Sequence, residues 1–296
     1  MKKLLFIIFL MVLVISNYTS KSNANVTNLT ETDVEYDKLK DKLDLLLKKE
    51  QGTYGISVID INSGATCAIN PLEPFHAAST FKLPLNIYLI EQISLGKVNP
   101  KQMLVYKAGH KEGGTGKLQN KAVGSSFNIE MLSKYSIVYS DNVATNMLVS
   151  YLGKPNVKNL MRSMGGVVVN DKKNVTCPQD MALYMYQLLE LAPKEPELVG
   201  KLINYLENTV YNDRIPKLLP QDIKTAHKIG NWPPTVTYSD VGYVQHPTNP
   251  YIIAIFSKGT PGVDRAFNVI QRVSRTVYDY QSGFKLFLDV SHRPSG

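Results

Sequence analysis

A serine and a lysine lie three residues apart at the start of an apolar stretch, in the run Ser79-Thr80-Phe81-Lys82. On a helix, side chains at positions i and i+3 share a face, with Cβ atoms about 5–6 Å apart. An unprotonated Lys82 amine could therefore take the proton from the Ser79 hydroxyl as it attacks a carbonyl carbon. A helix N-terminus would favour the developing oxyanion. The spacing predicts an acyl-forming nucleophile; a capping serine beside a solvated lysine is the alternative.

A second polar cluster, Ser140-Asp141-Asn142, lies between two predicted helices. Asp141 can cap the second of these helices, because a side-chain oxygen at that position accepts from the first free N–H groups. A short loop at such a junction can direct the Ser140 hydroxyl and the Asn142 amide into a cleft. This cluster is therefore a candidate partner for Ser79.

A third cluster lies at the end of a predicted strand, where Lys228 is followed by Ile229 and Gly230. The lysine supplies a positive charge, and the glycine lets a substrate approach the backbone closely. The N–H of the next residue, Asn231, can then face a substrate carbonyl oxygen. By contrast, a second Ser-x-x-Lys run, from Ser94 to Lys97, contains a glycine and leads into a proline, so it indicates a helix end.

Hydrophobic periodicity predicts the elements that must position these groups. Helices are predicted over 33–49, 79–95, 129–139, 142–152, 155–164, 178–191, 196–208 and 263–280. Strands are predicted over 54–61, 65–69, 224–229, 240–246 and 251–258, and residues 107–124 are predicted as a loop. This order implies an α+β fold. An antiparallel sheet of about five strands is covered by the N- and C-terminal helices, with an all-helical lobe inserted between its halves.

The N-terminus predicts export. Lys2 and Lys3 precede an apolar run from Leu4 to Ile15, and small residues follow near Ala24, which is typical of a secretory signal peptide over residues 1–24. A retained anchor is the alternative, but the apolar run is too short for a membrane span. Residues 25–296 are then one domain in the bacterial cell envelope or outside the cell.

Composition argues against several other classes of protein. The net charge of +8 falls to +5 without residues 1–24, which contain three lysines and no acid, and acids are interspersed with the bases, so nucleic acid is not an expected partner. The five histidines are scattered, and no metal or other cofactor is expected. Cys67 and Cys177 could form one bridge or remain free thiols. A monomer is expected.

Ser-x-x-Lys, Ser-Asp-Asn and Lys-x-Gly, in this order, resemble the motif set of the penicillin-recognising serine hydrolases. Over nearly all of residues 25–296 the chain resembles the class A β-lactamases. The flanking stretches that resemble the same family are Phe75, Thr176-Cys177-Pro178, Met181-Ala182, Asp213-Arg214-Ile215-Pro216, Leu219-Pro220, Ala226-His227-Lys228 and Asp240-Val241-Gly242. The resemblance implies the β-lactamase-like fold.

The resemblance also implies three catalytic roles. Ser79 would be the acylated nucleophile and Lys82 a base or proton relay. Ser140 would pass a proton to the leaving nitrogen.

It further implies a binding site around this centre. Asn142 would bind the substrate amide, and Lys228 would attract the substrate carboxylate. Gly230 would allow close approach, and the backbone N–H groups of Ser79 and Asn231 would form the oxyanion hole.

Two departures from the family pattern affect the expected chemistry. Class A enzymes carry Glu-x-x-Leu-Asn before the Thr-Pro helix, and its carboxylate activates the water that hydrolyses the acyl-enzyme. Residues 165–175 contain no Glu; Asp171 is the nearest carboxylate in sequence, and Glu195 lies beyond that helix. The second departure is Ile229, where the family usually has Thr or Ser. Loss of a hydrogen bond to a charged group costs about 1.5–3 kcal/mol.

The expected function is that of an exported serine hydrolase that β-lactams acylate at Ser79 and that hydrolyses the β-lactam amide, with slow deacylation. The first alternative is a D-alanyl peptidase, amidase or esterase that uses the same acyl-serine step on cell-wall or ester substrates. The second is a non-catalytic protein that binds peptidoglycan or β-lactams. Retention of Ser79, Lys82 and Ser140 argues against the second alternative, because a pure binder has little need for a proton relay.

Overall fold

The computed structural model describes residues 31–291, with side chains described for 36–283. The predicted signal peptide over 1–24 lies outside the described residues. Within this range, no helix is both long and apolar enough to cross a membrane.

A five-stranded antiparallel sheet forms the centre of the fold. Its strands are β1 (Thr53–Asp60), β2 (Thr66–Ile69), β7 (Thr225–Trp232), β8 (Thr237–Val244) and β9 (Tyr251–Lys258). They lie in the order β2-β1-β9-β8-β7. Two small ribbons pair β3 (Phe75–His76) with β6 (Val175–Thr176), and β4 (Met103–Val105) with β5 (Ser126–Asn128). The predicted α+β class and antiparallel sheet are confirmed.

Eight α-helices surround this sheet in the described part of the chain. They are α1 (Glu31–Leu47), α2 (Lys82–Ser94), α3 (Ile129–Val138), α4 (Asn142–Leu152), α5 (Lys154–Ser163), α6 (Pro178–Leu191), α7 (Pro196–Glu207) and α8 (Val263–Ser291). Helices α2 to α7 form the predicted inserted lobe, and α1 and α8 cover the opposite face of the sheet.

The central strands are buried on both faces, which explains their nearly continuous apolar sequences. Successive strand residues point to opposite faces. In β9, Ile252, Ala254 and Phe256 accordingly pack in the core shared with the helical lobe. Ile253 and Ile255 pack in the core shared with α1 and α8.

The predicted helix start at Ser79 is wrong. Ser79 lies in a 3₁₀ turn, Ala78–Phe81, and α2 begins at Lys82. Pro84 explains the difference, because proline has no N–H with which to bond the carbonyl four residues earlier, that of Thr80. The Lys82 N–H bonds the carbonyls of Ser79 and Thr80 instead.

The third motif also lies inside its strand rather than at the strand end. The predicted strand ended at Ile229, but β7 continues to Trp232 and pairs with β8 over its whole length. The turn Pro233–Thr235 follows the end of β7, because a proline has no N–H with which to continue the hydrogen bonds between the strands. Gly230 and Asn231 are therefore held by strand pairing.

Both cysteines are buried free thiols. Burial raises the pKa of the Cys67 thiol to about 12 and also raises the pKa of Cys177. Neither thiol is suited to act as a nucleophile near neutral pH, because the thiolate is the reactive form.

Candidate active site

Lys82 is buried at the start of α2, and its amine joins two of the sequence motifs. Its Nζ donates to the Ser140 carbonyl oxygen at 2.6 Å and lies 3.1 Å from Ser140 Oγ. It also donates to Asn142 Oδ1 at 2.8 Å. Lys82 of the Ser-x-x-Lys element and the Ser-Asp-Asn element therefore form one hydrogen-bonded cluster.

Lys228 joins the same cluster from β7. Its Nζ lies 3.1 Å from Ser140 Oγ and 3.3 Å from the Ile229 carbonyl oxygen. Burial lowers the pKa of Lys82 to about 7. Burial, followed by the charge of Lys82, lowers the pKa of Lys228 well below its usual value. Near neutral pH, a neutral amine is therefore available to accept a proton.

The Ser140–Asn142 loop is held by Asp141, which is fully buried. Its Oδ1 accepts from Ala144 N at 2.9 Å, which is the predicted cap of α4. Its Oδ2 accepts from the N–H groups of Lys117 and Leu118 at 2.6 and 2.8 Å. Asp141 is thus a structural residue that also fixes the neighbouring segment.

That segment, residues 107–124, is part of the site, which sequence reasoning missed. Thr115 Oγ1 donates to the Ser140 carbonyl at 2.6 Å, the same oxygen that Lys82 contacts. Asn142 Nδ2 donates to the Gly113 carbonyl at 2.9 Å. The sequence of this segment gave one signal of its role, the density of glycine at Gly113, Gly114 and Gly116.

Ser79 is half-buried in its turn, next to β7. The preceding residue, Ala78, has φ +47°, and Thr80 Oγ1 donates to the Ala77 carbonyl at 2.6 Å. A Cβ at Gly230 would lie 3.0 Å from the Ala77 oxygen and would overlap Ser239. Gly230 therefore permits close contact between β7 and the Ser79 turn.

Asn231 is exposed on β7, which is an edge strand. Edge strands have N–H groups without a strand partner, so β7 can present donors to a ligand. The Asn231 side chain accepts from Arg214 Nη2 at 2.6 Å, and the fully buried guanidinium of Arg214 lies over the Phe267 ring at 4.0 Å. Arg214 appeared among the motif residues only as part of a flanking stretch.

The segment over 165–175 offers no carboxylate directed at the site. Asp171 pairs with Arg162 at 2.6 Å, and its side chain is 70 % exposed. Asp180 of α6 accepts from the N–H groups of Val167 and Val168 at 2.9 and 2.8 Å. Glu195 precedes α7, as the sequence predicted. No group of three or more potential metal ligands occurs among residues whose side chains are described.

Two aromatic rings lie beside the site and were also missed. His76 of β3 and Trp232 of β7 stack with ring centroids 3.9 Å apart and planes 11° apart. Nothing local in the sequence relates two residues so distant along the chain.

An antiparallel sheet with an inserted helical lobe, and a lysine–serine–lysine cluster between them, define a serine hydrolase class. A model of the beta-lactamase enzyme family matches residues 38–281, so the chain belongs to that family. The predicted resemblance to class A β-lactamases is confirmed.

Individual relatives support this family. The extended-spectrum beta-lactamase PER-1 of Pseudomonas aeruginosa is 26% identical over 278 residues, which cover 85% of this chain and 90% of that protein. A beta-lactamase of Mycobacterium tuberculosis H37Rv is 25% identical over 248 residues, which cover 76% of this chain and 78% of that protein. Among solved structures, PBP-A has a TM-score of 0.77 at 25% identity, covering 82% of this chain and 95% of that one. A single-residue mutant of PBP-A, in an acyl-enzyme complex with penicillin-G, has a TM-score of 0.76 at 25% identity, covering 82% and 96%.

Proposed function

We propose that this protein is an exported serine hydrolase that β-lactams acylate at Ser79 and that deacylates slowly. The observation that carries the proposal is the buried cluster in which Ser140 Oγ lies 3.1 Å from the amines of both Lys82 and Lys228. Export rests on the predicted signal peptide, and N-terminal sequencing of secreted protein, expected to begin near Asn25, tests it.

In the acylation step, Ser79 Oγ attacks the β-lactam carbonyl carbon. The hydroxyl proton passes to the neutral Lys82 amine, whose pKa burial lowers to about 7. The oxyanion is bound by the N–H groups of Ser79 and Asn231, each typically worth about 2.7–4 kcal/mol. When the C–N bond breaks, Ser140 gives its proton to the leaving nitrogen and receives from Lys82, 3.1 Å away, the proton that Lys82 took from Ser79.

The remaining residues would bind the substrate. Asn142 Nδ2 would donate to the substrate amide oxygen, and Lys228 would attract the carboxylate. Gly230 lets the ligand approach β7. Ile229 is 3 % exposed and has no hydroxyl to offer that carboxylate, so carboxylate recognition would be weaker than with Thr or Ser.

Slow deacylation follows from the absence of Glu in 165–175 and from the pairing of Asp171 with Arg162 at 2.6 Å. Without a positioned carboxylate, general-base assistance to water, typically on the order of 10²–10⁴ in rate, is reduced. The acyl-enzyme complex of the PBP-A mutant with penicillin-G supports acylation by a β-lactam on a related structure.

A D-alanyl peptidase, amidase or esterase is the second candidate function. Within this group Ile229 favours an amidase or esterase, because a substrate that carries no carboxylate at that position does not need the missing hydroxyl. Comparison of turnover between a chromogenic cephalosporin and a chromogenic ester separates the two candidates.

Intact mass spectrometry of residues 25–296 treated with penicillin tests the proposal directly. The protein should gain one acyl mass that persists for minutes, and Ser79→Ala should gain none. Ser94→Ala, in the second Ser-x-x-Lys run, is the matched control and should be labelled like the wild type. Absence of labelling in the wild type would refute the assignment of Ser79, and rapid turnover without an adduct would refute slow deacylation.

A further inference from the structure

The stacked rings of His76 and Trp232 connect the two segments that carry the expected oxyanion donors. His76 lies three residues before Ser79, and Trp232 follows Asn231 at the end of β7. Their ring centroids are 3.9 Å apart with an interplanar angle of 11°. Trp232 remains 38 % exposed, so the stack lies at the surface rather than in the core.

His76 also fixes the backbone immediately before Ser79. Its Nδ1 accepts a hydrogen bond from Ala78 N at 3.0 Å. Ala78 has φ +47°, in the left-handed region that non-glycine residues rarely adopt. Its carbonyl accepts from Asn174 Nδ2 at 3.1 Å. Side chains therefore hold both peptide groups of a strained residue, and the second of these peptides contains the Ser79 N–H.

We propose that His76 and Trp232 form a clasp that positions the N–H groups of Ser79 and Asn231 relative to each other. His76 and Trp232 are positioning residues in this proposal, which rests on the proposed acylation of Ser79. Neither ring needs to touch the substrate.

The edge position of β7 explains why a clasp is needed. Among the described residues only β8 pairs with β7, and the Pro233–Thr235 turn beyond Trp232 is exposed. Gly230 packs against the Ala77 carbonyl. Two residues farther along β7, Trp232 stacks on His76, so the segment that leads into Ser79 contacts β7 at two points. Binding constellations must be held within about 0.5 Å of their productive geometry.

The hydrogen bond from Ala78 requires an unprotonated His76 Nδ1, and burial lowers the pKa of His76. Ionisable side chains also lie on the packed elements. Lys258 of β9 is paired with Glu73, Lys228 of β7 contacts Ser140, and Lys82 follows the Ser79 turn. Protonation of His76 removes the acceptor, so the clasp opens in acid. In the pH profile of the acylation rate, we therefore expect a decrease at low pH from protonation of His76, in addition to the decrease from protonation of Lys82.

Stopped-flow acylation by a chromogenic cephalosporin separates positioning from substrate binding. Trp232→Ala and His76→Phe should lower the acylation rate constant at saturating substrate by about 10-fold. Removal of an oxyanion-hole donor typically lowers the rate by about 10²–10³, and these variants only displace the donors. The dissociation constant of the non-covalent complex should change by less than about 2-fold, because the clasp does not touch substrate. Trp232→Phe should restore most of the rate. Tyr151→Ala, which removes an exposed ring on α4, is the matched control and should be unaffected.

Fluorescence of Trp232, the only tryptophan in the chain, tests the clasp without any substrate. Protonated imidazole quenches indole, so the wild type should lose fluorescence on acidification with a midpoint below about 6.5, the ordinary His pKa. His76→Phe keeps a stacked ring, and His76→Asn keeps a non-titrating acceptor; both should lack this transition. The acid limb of acylation should be steeper in the wild type than in His76→Asn.

Three results would overturn the proposal. The first is an acylation rate constant in Trp232→Ala within about 2-fold of wild type. The second is a weaker non-covalent complex, seen in the dissociation constant, without a lower acylation rate constant. The third is a fluorescence titration that His76 substitutions leave unchanged. If the wild type itself is not acylated, the proposed function fails. The fluorescence titration still decides whether His76 and Trp232 are coupled.

Discussion

The Ser140 hydroxyl lies 3.1 Å from each of two amines, those of Lys82 and Lys228. Burial lowers the pKa of both lysines, because desolvation disfavours the charged form. Asp141 and Glu112 act in the opposite direction and raise the pKa of Lys82. The Asp141 carboxylate accepts hydrogen bonds from backbone N–H groups. Glu112 is exposed, and its carboxylate accepts a hydrogen bond from Asn146 Nδ2 at 2.7 Å. Glu112 is therefore the charge that can be removed with the least structural disturbance.

Glu112→Gln should shift the pH profile of acylation to lower pH. The proposed acylation step needs neutral Lys82, so the wild-type rate should rise with pH through about 7. Removing a nearby negative charge lowers the pKa of Lys82, and the change should be small because the Glu112 side chain is exposed. Acylation rates from pH 5.5 to 9 measure the shift, with Glu197→Gln as the control. A midpoint that rises, or a difference that persists undiminished in 1 M salt, would contradict this assignment.

At the scale of elements, residues 107–124 form one wall of the site rather than a free loop. Backbone N–H groups of Lys117 and Leu118 bond Asp141, and Thr115 bonds the Ser140 carbonyl. Gly116, at φ +111°, lies against Asp141 so closely that a Cβ would overlap its side chain and Cα. The segment can dock on the Ser140–Asn142 loop only because this position has no side chain.

Gly116→Ala should therefore displace this wall and lower the acylation rate by more than Gly124→Ala. Both glycines have a positive φ, so alanine costs backbone strain of about 1–2 kcal/mol at either position. Only Gly116 also meets a neighbour, since nothing lies within 4 Å of a Cβ at Gly124. Acylation kinetics and thermal unfolding of the two variants isolate the effect of the overlap. Equal decreases in acylation rate in Gly116→Ala and Gly124→Ala would mean that backbone strain, and not the overlap with Asp141, lowers the rate.

At the scale of the whole molecule, one buried network joins helices α1 and α8 to the sheet. Asp60, at the end of β1, accepts from Tyr36 of α1 at 3.1 Å and from Gln281 of α8 at 3.3 Å. Gln281 Nε2 also donates to the Tyr36 hydroxyl at 2.8 Å, and Ser63 bonds the other Asp60 oxygen. The terminal helices are thus attached to the sheet by polar contacts as well as by the apolar core.

Tyr36→Phe should lower the free energy of unfolding by about 1.5–3 kcal/mol, because it removes a buried hydrogen bond to a carboxylate. Tyr151→Phe is the matched control, since its hydroxyl bonds Gln102 at an exposed site and its loss should cost little. Urea denaturation followed by Trp232 fluorescence measures both. A loss below about 0.5 kcal/mol in Tyr36→Phe would show that the network does not stabilise the attachment.

Local signals explain which elements the sequence predicted well. The bounds of α4, α6 and β9 match the prediction residue for residue. Asp141 caps α4, Pro178 opens α6, and breakers flank β9, so neighbouring residues alone specify these limits. The start of α2 and the end of β7 were wrong, because Pro84 acts on a carbonyl four residues earlier and β8 extends the pairing of β7 to Trp232.

The sequence by itself determined the fold class, because periodicity is a local property of the chain, and its motifs showed the resemblance to the family and the chemical groups available. The tertiary structure decided how these groups are used. Burial lowers the pKa of Lys82 to about 7, and contacts between distant segments bring Thr115 to Ser140 and Trp232 to His76. Desolvation and long-range contact depend on which segments pack together, and no local pattern encodes them.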